Sequence, residues 1–261
     1  MTTGGVIERT IKVGGESIRV WEKGKGETLG YLAGLGGLLE WTPFLDRLAE
    51  RRRVIVPSLP GFPGGGLLHK QLDTLPDWII CMLDLLEAAG LDGKELVGHS
   101  IGGMLAAEVA AFSRASVRSL VLISPFGLYD ESEPPADPWA RRVPEIAPLF
   151  SAKPAEYAKA RLTPPAGLSS EDQIEWTIVQ TRAVESAARL LWPLGQLGLA
   201  KRLHRIACPV KLVWGAEDRI IPASYAKRWA QRLPTATDLQ IVPGAGHALD
   251  FDAPEAAAKL A

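Results

Sequence analysis

The chain has 261 residues, 47% of them hydrophobic and 23% charged, with 29 Lys and Arg against 30 Asp and Glu for a formal net charge of −1. That balance excludes a disordered tail protein and a collagen-like repeat, and it provides no global field for nucleic acid or an anionic membrane. The length suits one large α/β domain, or one domain carrying an insertion. Cys81 and Cys208 are the two cysteines. With no C-x-x-C or Cys/His cluster they exclude a disulfide scaffold and leave no zinc set. The start, M-T-T-G-G-V-I-E-R-T, lacks a basic stretch followed by an apolar run, so no leader is expected. The most apolar long stretch, residues 78–91, carries Asp84 and Glu87 and is too short to span a bilayer. A cytoplasmic protein acting on a small molecule, with no nucleic-acid or membrane partner, is the expectation.

Taken in chain order, residues 7–20 read as a hairpin. Ile11 and Val13 alternate with polar residues, Gly14-Gly15 turns the chain, and Ile18 and Val20 resume the alternation. Residues 28–33 form a short apolar run ending in A-G-L-G-G. A helix is predicted over 41–49, with Phe44, Leu45 and Leu48 at helical spacing. R-V-I-V-P at 53–57 is a buried strand, stopped by L-P-G-F-P-G-G-G. A helix over 74–89 carries Ile79, Met82, Leu83 and Leu86 on one stripe. A strand at 95–97, the segment G-H-S-I-G-G, a small-residue helix over 101–112 and an apolar strand at 117–123 follow. Strands alternating with helices and apolar on both faces predict a parallel sheet covered on both sides.

From Tyr129 to Arg205 no strand is predicted, and five prolines break up the first part. S-E-D-Q at 170–173 reads as a capping box opening a helix to Leu191, with Ile174, Ile178, Val184 and Leu191 facing inward. The α/β pattern resumes with a strand at 210–215, a helix at 224–232 and a strand at 239–242. The division is therefore a core of residues 1–128 and 206–261, with a helical insertion over 129–205.

G-H-S-I-G, residues 98–102, matches G-x-S-x-G. The short pattern is weak alone and strong in context, because an apolar strand precedes it and a small-residue helix follows. A turn this tight packs the chain against itself two residues either side of Ser100, where glycine fits. A serine hydroxyl needs a base, and the chain order in this architecture is Ser, acid, His. V-K-L-V-W-G-A-E-D-R-I-I-P supplies Glu217 and Asp218 after a late strand. L-Q-I-V-P-G-A-G-H supplies His247 after the last. His99 is expected to point away from the nucleophile in a structural role. His204 is expected on a helix surface and His69 in a loop, neither as a metal ligand. The glycines around Gly64 lack the G-K-[ST] of a phosphate loop.

Four segments together resemble the α/β-hydrolase superfamily: the glycine-rich turn at 33–37, G-H-S-I-G-G, W-G-A-E-D-R-I-I-P and P-G-A-G-H. They stand in the family order and cover nearly the whole chain apart from the insertion. The resemblance implies an α/β-hydrolase fold, an eight-stranded and mostly parallel sheet with a helical cap after strand six. It implies Ser100 as nucleophile, Asp218 rather than Glu217 as acid, and His247 as base. Two positions depart from the family. Ala33-Gly34 stands where His-Gly is usual, but backbone builds the oxyanion hole, so Leu35 and Ile101 N–H remain the implied donors. Ser58 stands where an Asp often anchors the turn. Met104, Phe126, Trp139 and Trp192 are candidate pocket residues, and Trp176 is a further aromatic of the cap. No cofactor or metal is called for.

The reading that follows is a serine hydrolase of a small, mostly apolar carboxylic ester or related acyl compound. A carbon–carbon bond hydrolase of the meta-cleavage-product type is the competitor among enzymes. Its members carry Asn before the nucleophile and Trp after the histidine, where this chain has His99 and Ala248. Epoxide hydrolases and haloalkane dehalogenases use an Asp nucleophile, which Ser100 excludes. A catalytically silent ligand receptor on the same fold is the alternative from outside enzymology.

Overall fold

Strand pairing builds one eight-stranded sheet in the order β1-β2-β4-β3-β5-β6-β7-β8. The computed structural model describes residues 5–234 and 238–261. The leader reading falls partly on residues 1–4, outside the described residues. β1 (Ile7–Val13) and β2 (Glu16–Lys23) are the predicted hairpin, with Gly14 at φ +55° and Gly15 at φ +84° supplying the left-handed pair that a two-residue turn requires. β2 also runs antiparallel to β4 (Arg53–Pro57). Every remaining pairing, among β3 (Thr28–Leu32), β4, β5 (Lys94–His99), β6 (Val117–Ile123), β7 (Val210–Gly215) and β8 (Asp238–Val242), is parallel.

The central strands are buried on both faces, and the period of two shows in them. Leu96, Leu120, Leu122 and Leu212 belong to the core on one face. Their neighbours Val97, Val121, Ile123 and Val213 belong to the core on the other. The first face is covered by α2 (Leu75–Ala89) and α3 (Ser100–Phe112), the second by α1 (Pro43–Ala49) and α9 (Pro254–Leu260). α2 starts where the sequence places it. The Thr74 hydroxyl accepts from Asp77 N–H while Asp77 accepts from Thr74 N–H at 2.7 Å, and Gly90 at φ +79° ends the helix.

Between β6 and β7 the described residues hold α4 (Val143–Phe150), α5 (Pro154–Tyr157), a π-helical turn at Ala158–Leu162, α6 (Ser170–Leu191) and two 3₁₀ turns, and no strand. The chain returns to the sheet on an ion pair whose acid is buried. Glu108 of α3 is fully enclosed and accepts two bonds from Arg202, at 2.8 and 2.6 Å. Losing one partner of such a pair costs about 3–5 kcal/mol. α7 (Ser224–Ala230) and α8 (Leu249–Asp252) complete the helices. Among the described residues no helix is long and apolar enough to cross a membrane.

Two expectations for α6 are corrected. Its N-cap is Ser169, whose hydroxyl accepts from Asp172 N–H at 3.1 Å, rather than a box of Ser170 and Gln173. Of the four residues expected to face inward, Leu191 is buried and the other three are not. Ala183, Ser186, Ala187, Leu190 and Leu191 are buried, while Ile174, Ile178 and Val184 are at least half exposed. Small residues let the carboxyl half of the helix approach closely, and the Ser186 hydroxyl donates to Pro60 C=O at 2.6 Å. The amino half, with Ile174 and Ile178, extends past the surface on which the helix is seated.

His69 is the third correction. It lies in a 3₁₀ turn (Leu68–Gln71) and is fully buried, 3.7 Å from Glu185 of α6. A Cβ added to Gly61 would fall 2.5 Å from its ring, so only glycine lets the 58–65 loop pass. Burial holds the His69 imidazole below the ordinary histidine range, against a smaller upward pull from Glu185. The ordinary value is near 6.5. As pH falls through it the unfolded chain takes up a proton that the folded chain refuses, so the contribution of this site is full above that pH and declines below it. Thermal melts between pH 8 and pH 5 should show the melting temperature falling. His69→Gln should flatten that fall whatever its effect at pH 8, and an unchanged slope would refute the assignment.

Candidate active site

Ser100 opens α3 directly from β5, and its φ of +57° lies in the left-handed region. A non-glycine residue held there costs of order 1–3 kcal/mol and must be over-determined by its surroundings. Those surroundings are the two glycines that the motif predicts. A Cβ on Gly98 would fall 2.6 Å from Gly103 Cα, and one on Gly102 would fall 2.4 Å from Leu32 C=O. The Ser100 C=O accepts from Phe126 N–H at 3.2 Å, which ties the turn to the end of β6.

The predicted acid and base reach Ser100 from the ends of β7 and β8. Ser100 Oγ lies 2.8 Å from His247 Nε2, and His247 Nδ1 lies 2.9 Å from Asp218 Oδ2. The other Asp218 oxygen accepts from Ile220 N–H at 2.9 Å and Ile221 N–H at 2.8 Å, so the carboxylate is fixed in orientation. Asp218, His247 and Ser100 are all buried, whereas the neighbouring Glu217 is exposed. With Asp218 accepting, Nδ1 carries the proton and Nε2 presents its lone pair to the serine hydroxyl. The His247 loop closes on β7 so tightly that a Cβ on Gly215 would fall 2.3 Å from Gly246 C=O.

The turn after β3 packs against this chain of groups. A Cβ on Gly34 would lie 3.2 Å from Ser100 Cβ, and the next residue, Leu35, lines the cleft beside His247. Ile101 sits in the first turn of α3, where backbone N–H groups have no intrahelical partner. Ser58 is buried and its N–H donates to Arg19 C=O at 2.9 Å.

The candidate pocket residues are only partly brought together. Phe126 is buried, its ring meeting His247 edge-on with centroids 5.9 Å apart. Met104 is fully buried in the core on the α3 face. Trp139 donates from its indole to Val184 C=O at 3.2 Å, and Trp192 is 58% exposed. Neither lines the cleft beside His247, because the aromatic wall there comes from other residues between β6 and β7. That wall is Phe150 and Tyr157, stacked at 5.7 Å, with Phe150 also edge-on to His247. His204 is exposed as expected, on a 3₁₀ turn at Leu203–Arg205.

His99 is a further correction. Its side chain does not turn away. It faces the same cleft, its ring 5.5 Å from that of His247, and its Nε2 lies 2.7 Å from His247 C=O. His99 shares the Val97 face of β5, and at the strand's carboxyl end that face meets the His247 loop rather than a helix. Burial lowers its affinity for a proton, although Asp250 opposes this from 3.6 Å.

Two acids that matter, Asp250 and Asp252, were not singled out from sequence. Asp250 bonds Arg161 at 3.3 Å. Asp252 is buried, accepts from Gly246 N–H at 2.7 Å and Ala152 N–H at 2.9 Å, and also bonds the Ser151 hydroxyl. It thereby clamps the His247 loop to the end of α4. The signal was two acids in an apolar run directly after G-A-G-H. Among the described residues no three His, Cys, Asp or Glu side chains gather as a metal site.

Comparison with known proteins extends the picture. The family described as "Alpha/beta hydrolase family" matches residues 32–260. The dihydrolipoyllysine-residue acetyltransferase components of acetoin cleaving systems from Cupriavidus necator and Pseudomonas putida are 29% and 30% identical, over 90% and 96% of this chain. This chain spans only 63% and 67% of their lengths. A Caulobacter sp. (strain K31) protein provisionally named carbamate hydrolase RutD is 30% identical over 86% of this chain and 85% of its own. Among solved structures, the meta-cleavage product hydrolase of Pseudomonas fluorescens IP01 superposes with a TM-score of 0.76 at 17% identity, over 97% of this chain and 95% of that one. At that identity the likeness concerns the fold alone.

Proposed function

The chain belongs to the alpha/beta hydrolase family, and from that premise we propose that it is a serine hydrolase of small, mostly apolar carboxylic esters or related acyl compounds. The observation that carries this reading is the continuous chain from Ser100 Oγ through His247 to Asp218, at 2.8 and 2.9 Å.

His247 Nε2 takes the Ser100 proton as the hydroxyl attacks the substrate carbonyl. Asp218 holds the tautomer and stabilises the imidazolium. Leu35 and Ile101 N–H donate to the tetrahedral oxyanion, which is stabilised more than the ground-state carbonyl. Collapse expels the alcohol, which receives its proton from His247. Water, deprotonated by the same imidazole, then cleaves the acyl-enzyme. Residues 129–205 act as the cap over this chemistry. Supporting that assignment, Phe150, Tyr157 and Arg161 come from the insertion and line the cleft beside His247. Such a cover excludes bulk water and shapes the pocket. The names of the relatives, which include an acetyltransferase and a carbamate hydrolase, fit attack at an acyl carbon. His99 and Ala248 weigh against carbon–carbon hydrolysis.

The test is turnover of p-nitrophenyl esters of graded chain length, alongside labelling by a small fluorophosphonate. Hydrolysis of at least one short ester and labelling confined to Ser100 are the expected results. Tight ligand binding without labelling or turnover would favour the receptor reading and overturn this one.

A further inference from the structure

The cleft beside His247 holds polar groups that the triad does not use. Tyr31 projects from β3 on the face shared with Val97 and His99, and the Tyr31 and Val97 positions are paired in register. Its hydroxyl is buried with no hydrogen-bond partner among the described residues. Burial, and then the nearby Asp250 carboxylate, push the Tyr31 phenol well above its ordinary range, so it stays an O–H donor. His99 donates from Nε2 to His247 C=O. A neutral ring therefore bears its lone pair on Nδ1, which lies 3.1 Å from where a Cβ on Gly34 would be. Arg161 and Asp250 form a pair at 3.3 Å, and their charges cancel.

The cleft thus presents two donors, the Tyr31 hydroxyl and the Arg161 guanidinium, beside two acceptors, His99 Nδ1 and Asp250, with no net charge. Its cavity volume is about 30 Å³. At roughly 10–15 Å³ per water, that is room for about two water molecules or a group of similar size. A carboxylate brings only acceptors and would face the Asp250 anion and the His99 lone pair. An alkyl group would leave the buried Tyr31 hydroxyl without a partner and offer nothing to the His99 lone pair. A primary amide, with donors and an acceptor on one small planar group, matches both halves. His247, which in the proposed reaction returns its proton to the departing oxygen, lines this cleft together with Leu35, and on that ground the departing group is placed here.

We propose that this cleft is a leaving-group subsite for a small neutral hydrogen-bonding group, a primary amide above all, held by Tyr31, His99, Arg161 and Asp250. It rests on the serine-hydrolase reading above and adds a class of alcohol to it.

Three acetate esters of nearly equal size test the idea: those of glycolamide, glycolate and isobutanol. The reading is kcat/KM for each, divided by its rate of hydroxide-catalysed hydrolysis to remove intrinsic reactivity. The glycolamide ester should exceed both others by at least about tenfold, since a site built to hydrogen-bond a group discriminates strongly against an analogue lacking it. Tyr31→Phe should cut the glycolamide-to-isobutyl ratio by about fivefold, the worth of one neutral hydrogen bond. Asp250→Asn should raise the glycolate-to-glycolamide ratio by about tenfold, by leaving Arg161 uncompensated. Preference for the glycolate ester would overturn the proposal in favour of a carboxylate site. Equal rates, or ratios that neither variant moves, would overturn it outright. Fluorophosphonate labelling separates the two levels. Labelled Ser100 with flat ratios removes only the subsite, whereas unlabelled Ser100 removes the triad reading and the subsite with it.

Discussion

Ser100→Ala should lower kcat/KM on any true substrate by about a million-fold while leaving the fold in place, the loss seen when a triad nucleophile is removed in a well-studied serine hydrolase. The hydroxyl at 2.8 Å from His247 Nε2 is the only part of the side chain that the proposed reaction uses. Removing it leaves the left-handed backbone at residue 100 no worse off, because alanine and serine bear the same Cβ penalty at φ +57°. The melting temperature should therefore change little, and fluorophosphonate labelling should vanish. Residual activity above about a tenth of wild type would mean that bond cleavage does not pass through this oxygen.

Asp218→Asn should cost about 10⁴-fold near neutral pH, as the corresponding change does in a well-studied serine-protease triad. An amide at this position can present N–H to His247 Nδ1, which drives the proton to Nε2 and turns the base away from the serine. The Ile220 and Ile221 N–H groups that bond Asp218 Oδ1 would favour that orientation, because they select the amide oxygen on their side. Glu217→Gln should stay within about twofold of wild type, since Glu217 is exposed and, among the described residues, only its backbone N–H is engaged, to Ala245 C=O at 2.9 Å. Steady-state kinetics of the two variants side by side decide the matter. A larger loss at residue 217 than at residue 218 would reverse the assignment of the acid.

What the sequence determined by itself follows from local sterics and from burial pattern. β4, β6 and β7 lie where their apolar runs place them, because a strand enclosed on both faces must be apolar at consecutive positions. The turn around Ser100 was legible because Gly98 and Gly102 answer contacts within a few ångströms of their own backbone and β3. The hairpin turn at Gly14 and Gly15 was legible for the same reason.

The tertiary structure decided whatever depends on which surfaces meet. Periodicity identified the apolar stripe of α6 but carried no record of what lies against it. The helix is seated instead through Ala183, Ser186 and Ala187, whose small side chains permit close approach. Adjacency in sequence left Glu217 and Asp218 equivalent until the family resemblance was applied. In three dimensions the closure of the His247 loop on Gly215 buries one and exposes the other. His99 belongs by alternation to a face that a helix covers elsewhere, and only packing reveals that at the end of β5 it meets the His247 loop instead. Tyr31, Arg161 and Asp250 come from a strand, a π-helical turn and a short helix far apart in the chain. Hydrogen-bonding groups so separated are brought together by the packing of whole elements, and no local pattern in the sequence encodes that meeting.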